Sequence, residues 1–278
     1  MVARRLLLFL LFTLWAAVGI AHGGDWDGTT VFICDDGAEW PPYSYYQRVD
    51  GRPTDTIIGF SVDVIDRIFD KRGVPYRLTL LPWKRCMVEV AEGKNFHMFL
   101  SGGRNPERER TYHISAPYYQ MHPGYLYAQT HHPKGLAIAS RKDLTKYRVC
   151  GILGYNYIVF GLGEDQIDTG TSDYGSLVKK LLTGRCDLSV DRLEILLGFQ
   201  AIGKDFINHP DLAYQVIPDE PDEPFHMMFT KNELGQKLKQ IVDEGIRELR
   251  ASGEMAAIMK KYDLLISSKP TPRHQITE

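Results

Sequence analysis

Residues 61–100 read SVDVIDRIFD KRGVPYRLTL LPWKRCMVEV AEGKNFHMFL, and this stretch decides the fold. Val64, Ile65, Ile68 and Phe69 recur at helical spacing, so 61–72 is expected to be an amphipathic helix that stops at Gly73. Tyr76–Leu81 is a β-rich run, ended by Pro82, which has no N–H to offer a sheet ladder. Trp83–Glu92 then makes a second helix closing on Gly93, and Phe96–Leu100 the next strand. With the β-rich Val31–Cys34 upstream, the order is strand, helix, strand, helix, strand, which is the rhythm of a parallel sheet.

Outward from this core the same rhythm returns. Asp35-Asp36-Gly37 and the double proline of Trp40-Pro41-Pro42-Tyr43 form a loop at a strand end. Arg148–Leu153, Cys186–Val190 and Tyr214–Ile217 read as strands, with helices at Ser176–Leu182 and Leu193–Ala201, so the middle of the chain is a second α/β unit. Connections are expected at Ala128–Lys134, which is polar, and at Pro218–Pro224, where prolines alternate with acids. Beyond them lie a strand at Phe225–Thr230, a long helix carrying Leu234, Leu238, Ile241, Val242 and Leu249 on one face, and a short helix at Met255–Tyr262. The expected division is one lobe from 24–128 plus 225–265, a second from 129–224, and an unstructured tail at 266–278. A chain that crosses twice between lobes can open and close as a hinge.

The 278 residues carry 33 Lys+Arg against 35 Asp+Glu. A net charge of -2 lacks the concentrated basic surface that nucleic acid requires. Arg4-Arg5, the apolar Leu6–Val18 and the small residues around Gly19–Gly23 read as a cleaved secretory signal peptide over 1–23, so the mature chain is expected to be exported and soluble. Export makes disulfides possible for Cys34, Cys86, Cys150 and Cys186. Of the three pairings, Cys34–Cys86 with Cys150–Cys186 is favoured because each bridge then stays inside one half of the chain. His122 and His131-His132 lack metal-ligand spacing, Gly161-Leu162-Gly163 is not a phosphate loop, and no nucleophile elbow surrounds Ser101, Ser115 or Ser189. No metal or cofactor is expected.

Taken in order, Trp40-Pro41-Pro42-Tyr43, Ile58-Gly59-Phe60-Ser61-Val62-Asp63, Pro82-Trp83, Ser101 to Arg108, Ser115-Ala116-Pro117-Tyr118-Tyr119, Gly154-Tyr155-Asn156 and Gly184 to Asp191 resemble the family 3 periplasmic solute-binding proteins, of the type that serves polar amino-acid ABC importers. The resemblance implies an α/β, two-lobed periplasmic-binding-protein-like (type II) fold with a double crossover hinge, located in the periplasm. It also implies a monomer that clamps a small carboxylate ligand and delivers it to an ABC permease. Its pocket residues carry over singly. Trp40 and Trp83 would wall the ligand, Ser101 and Gly103 would line the strand-end loop, and Arg108 would fork onto the ligand carboxylate. Asn105 stands where the family has Thr, still a good N-cap before Pro106. Gly103 lacks the family's usual hydroxyl. From the second lobe, Tyr155 and Asn156 would close on the ligand, and Asp191 would take its ammonium, although the segment after Asp187 is one residue shorter than the family pattern.

Two other classes compete. Relatives on this scaffold include periplasmic cyclohexadienyl dehydratases, for which Glu39 would be the candidate acid. A soluble sensor partner for a membrane protein is the third. Asp36 and Glu39 are expected at the cleft rim as solvated loop acids.

Overall fold

The protein is described by a computed structural model covering residues 26–218 and 220–264; the signal segment and the tail lie outside the described residues. The first half runs β1 (Val31–Asp36), β2 (Tyr45–Val49), β3 (Arg52–Ile58), α1 (Phe60–Asp70), β4 (Tyr76–Leu81), α2 (Trp83–Glu92), β5 (Met98–Gly103), α3 (Pro106–Thr111), β6 (His113–Ile114) and β7 (Tyr119–Met121). The second runs β8 (Pro123–Ala128), β9 (Val149–Ile152), β10 (Ile167–Thr171), α4 (Tyr174–Leu182), β11 (Leu188–Arg192), α5 (Leu193–Gly198) and β12 (Leu212–Val216). The chain ends with β13 (Glu223–Phe229), α6 (Glu233–Ser252) and α7 (Glu254–Lys261).

These elements form two lobes. One sheet has the order β4-β1-β5-β13-β6 with β7 also on β13; the other has the order β10-β9-β11-β8-β12. Strands β4, β1 and β5 are parallel, and β13 returns antiparallel beside β5, so a C-terminal strand completes the first sheet. Pro123–Ala128, counted above with the first half, hydrogen-bonds to β11 and β12 in the second sheet. The first passage between lobes therefore falls at His122, ahead of the polar stretch expected to make it. The second lies between β12 and β13, where prolines and acids alternate.

The apolar stripe of α1 is buried as its spacing demands, with Val64, Ile65, Ile68 and Phe69 inside. Each such side chain contributes roughly 1.5–3 kcal/mol. Helix α6 lies against it, and Gly245 permits the approach: a Cβ there would stand 2.5 Å from the Cγ1 of Ile68. The disulfides are Cys34–Cys86, tying β1 to α2 with Cα atoms 5.7 Å apart, and Cys150–Cys186, at 5.9 Å in the second lobe. Neither spans the cleft, so both brace a lobe and leave the hinge free. Among the described residues no helix is long and apolar enough to cross a membrane.

Candidate functional site

A cleft runs between the lobes at the carboxyl ends of β1 and β5, where open α/β sheets bind ligands. Its non-atom space, open solvent at the mouth included, is about 340 Å³, lined by Asp35, Asp36, Trp40, Trp83, Ser101, Gly103, Arg108, Tyr155, Asn156, Arg192, Glu223 and Phe225. The lobes touch across it. Trp83 Nε1 and Arg108 both donate to the carbonyl of Gly154, at 3.0 and 3.2 Å. The Tyr155 hydroxyl donates to Asp36 Oδ2 at 2.5 Å, and the edge of one ring meets the face of the other where Tyr155 packs on Trp40.

Arg108 is placed by its helix. Asn105 caps α3, its Oδ1 accepting from the Arg108 amide at 2.8 Å, and Pro106 follows at the first helical position. The guanidinium lies over the ring of Trp83, donates to the Gly103 carbonyl at 2.9 Å, and is only 6% exposed. Among the described residues no carboxylate forms an ion pair with it. Burial pulls its pKa down to about 10, and the more distant Glu223 only partly opposes this.

The β1 acids are not rim groups. Asp35 is fully buried, held by Ser44 Oγ on Oδ2 at 2.6 Å, while among the described residues its Oδ1 and the nearby Ser101 hydroxyl make no hydrogen bond of good geometry. Desolvation pushes its carboxyl up to about 7, the charge of Asp36 adding to the effect. Asp36 accepts from Tyr155 and from the Ala38 amide and is raised by burial to about 6. Glu39 faces away from the cleft: both its oxygens bind Arg48, at 2.8 and 2.6 Å, and it also accepts from the Tyr46 amide. It therefore does not serve as a cavity acid.

The second lobe differs from expectation by one position. Successive strand residues face opposite ways, and at the end of β11 it is Arg192 that lines the cavity. Asp191 is buried among Tyr174 and neighbours, accepts from the Arg192 amide at 2.8 Å, and does not line the cavity. Burial raises its carboxyl to about 6, with the Arg192 charge opposing. Arg192, at 2% exposure, grips Glu223 Oε2 through Nε and a terminal nitrogen at 2.8 and 2.5 Å. Asn156 donates to the Arg104 carbonyl and accepts from the Asn105 side chain, so Asn105 meets the other lobe and stands outside the inner cavity. Trp40, Trp83, Ser101, Gly103, Arg108, Tyr155 and Asn156 thus come together. The sequence reading did not single out Asp35, Arg192, Glu223 or Phe225. Glu223 sits in a stretch whose prolines signalled only a connection, and Phe225 read as core strand.

The model of the bacterial extracellular solute-binding proteins, family 3, matches residues 33–264. The probable amino-acid-binding protein YxeM of Bacillus subtilis (strain 168) is 25% identical over 244 residues, covering 84% of this chain and 86% of YxeM. Among solved structures, the arginine-, lysine-, histidine-binding protein ArtJ of Geobacillus stearothermophilus superposes with a TM-score of 0.64 at 23% identity, covering 87% of this chain and 97% of ArtJ. The amino acid ABC transporter substrate-binding protein AbpA of Streptococcus pneumoniae, bound to L-arginine, gives 0.65 at 22% identity, covering 84% of this chain and 94% of AbpA.

Proposed function

The chain belongs to the bacterial extracellular solute-binding proteins, family 3, and from that premise we propose that it closes its lobes on an amino acid or related small carboxylate and delivers it to an ABC importer. The observation that carries this reading is Arg108: a buried guanidinium, facing the cavity, with no acid among the described residues paired to it. Desolvating a charge is unfavourable unless a counter-charge is supplied, and a ligand carboxylate supplies it with two matched acceptors. Trp40 and Trp83 wall the ligand, Ser101 offers a free hydroxyl, and Tyr155 and Asn156 close from the other lobe. Amino-acid ligands of relatives such as YxeM, ArtJ and AbpA point to the same class of cargo. We infer a periplasmic or extracellular working place, as the extracellular family suggests, and a chain that works as a monomer.

The catalytic alternative has lost its candidate acid, since Glu39 is tied to Arg48 outside the cavity. Thermal-shift screening against amino acids, organic acids and prephenate tests the receptor reading. One class should stabilise the fold by about 2.7 kcal/mol at a hundredfold excess over Kd, with no turnover. Product formed from prephenate would contradict it.

A further inference from the structure

We propose that Glu223, held in place by Arg192, is the group that receives the ligand's ammonium, the role that the resemblance assigned to Asp191; this rests on the amino-acid reading above. Arg192 engages Oε2 of Glu223 and is itself packed between the rings of Phe160, at 4.9 Å, and Phe225, at 5.6 Å. The other oxygen, Oε1, is buried and among the described residues accepts no hydrogen bond, although Glu223 lines the cavity. A buried carboxylate oxygen without a donor is unfavourable until something donates to it. The ligand's N–H groups are suitable donors.

Space and position agree. A Cβ at Gly103 would stand 2.3 Å from Oε1 of Glu223, so the side chain missing at position 103 is what gives this oxygen its room. The Gly103 carbonyl in turn accepts from Arg108. One glycine therefore joins the cation that takes a carboxylate to the anion that takes an ammonium, and these two groups sit on adjacent bonds of an α-amino acid. Charge agrees as well. Glu223 and Asp191 act on Arg192, and Glu223 acts also on Arg108, so two acids face two cations and the site is balanced for a zwitterion, which brings one charge of each sign. Asp35 Oδ1 and Ser101 Oγ, which make no hydrogen bond of good geometry among the described residues, are left for the distal end of the ligand.

Isothermal titration calorimetry with the standard L-amino acids, each paired with its deaminated analogue, tests the assignment. Glu223→Gln keeps an oxygen for Arg192 and removes the charge. It should weaken the bound amino acid on the order of a hundredfold and leave the deaminated analogue within about threefold. Gly103→Ser, whose Cβ would meet Oε1 at 2.3 Å and push the Glu223 carboxylate aside while keeping its charge, should shift selectivity in the same direction and carries the test should Glu223→Gln fail to fold. Asp191→Asn should stay within about threefold for both probes. Equal losses for both probes in Glu223→Gln, or a larger selective loss in Asp191→Asn, would overturn the assignment and leave the receptor reading standing. Equal affinity of the native chain for amino acids and their deaminated analogues would do the same. Binding of no amino acid by the native chain would overturn both.

Discussion

Arg108 and Arg192 are buried arginines on the wall of one cavity, and their surroundings are opposite. Arg108 has a carbonyl on each side of the cleft, a sulfur and an indole face, but among the described residues no paired acid. Arg192 has Glu223 in a two-pronged grip and Asp191 beside it. Burial lowers the pKa of Arg108 to about 10; burial also opposes the charge of Arg192, but its two acids more than offset it and hold it above the ordinary value. The contrast separates a structural cation, satisfied by the protein, from a functional one whose counter-ion must arrive with the ligand.

Breaking the satisfied side should have the largest effect. Arg192→Ala leaves Glu223 buried and alone, and should cost about 3–5 kcal/mol in urea unfolding. The paired change Arg192→Met with Glu223→Met should recover most of that loss, because apolar side chains of similar volume fill the site without stranding a charge.

The buried acids at the end of β1 set a pH dependence. Asp35 and Asp36 ionise near 3.8 unfolded but at about 7 and about 6 in the folded chain. The native state therefore holds more protons across this window, and their contribution is fully present below 3.8 and lost as pH rises through about 7. For Asp35 the limit is on the order of 4 kcal/mol at 1.36 kcal/mol per unit. The ligand-free chain should unfold at higher urea at pH 5 than at pH 8, and Asp35→Asn should flatten the difference. A profile that rises over this range would show that Asp35 is not a desolvated carboxyl.

The smallest expected effect sharpens the Arg108 side. Trp83→Phe keeps the wall but loses the hydrogen bond to the Gly154 carbonyl, which loosens the closed form by about 1 kcal/mol. Ligand release in stopped-flow should speed up about fivefold. No change would mean that this contact does not hold the cleft shut.

What could be read from the chain follows the same divide. The helices and strands of 60–103 were legible because their periodicities are local and their stops are Gly73, Pro82 and Gly93. Arg108 was legible because Asn105 and Pro106 start its helix in the sequence itself. The second lobe was less so. Strand β10 reads Ile-Asp-Thr-Gly-Thr, without alternation, and β8 opens on a proline, so neither announces a strand. All five residues of β11 are buried, so no polar face reveals which of Asp191 and Arg192 meets the cavity. The pairing of Arg192 with Glu223 joins residues 31 apart and exists only once the sheets are assembled.

The central claim is that Arg108 is an unmatched cation awaiting a ligand anion. Calorimetric titration of native and Arg108→Ala chains with the stabilising carboxylate tests it most directly, with melting temperatures recorded in parallel. The variant should lose affinity by about a hundredfold or more with a melting temperature equal to or above that of the native chain, since a buried charge has been removed. Unchanged affinity, or a collapse of the fold with no ligand present, would contradict it.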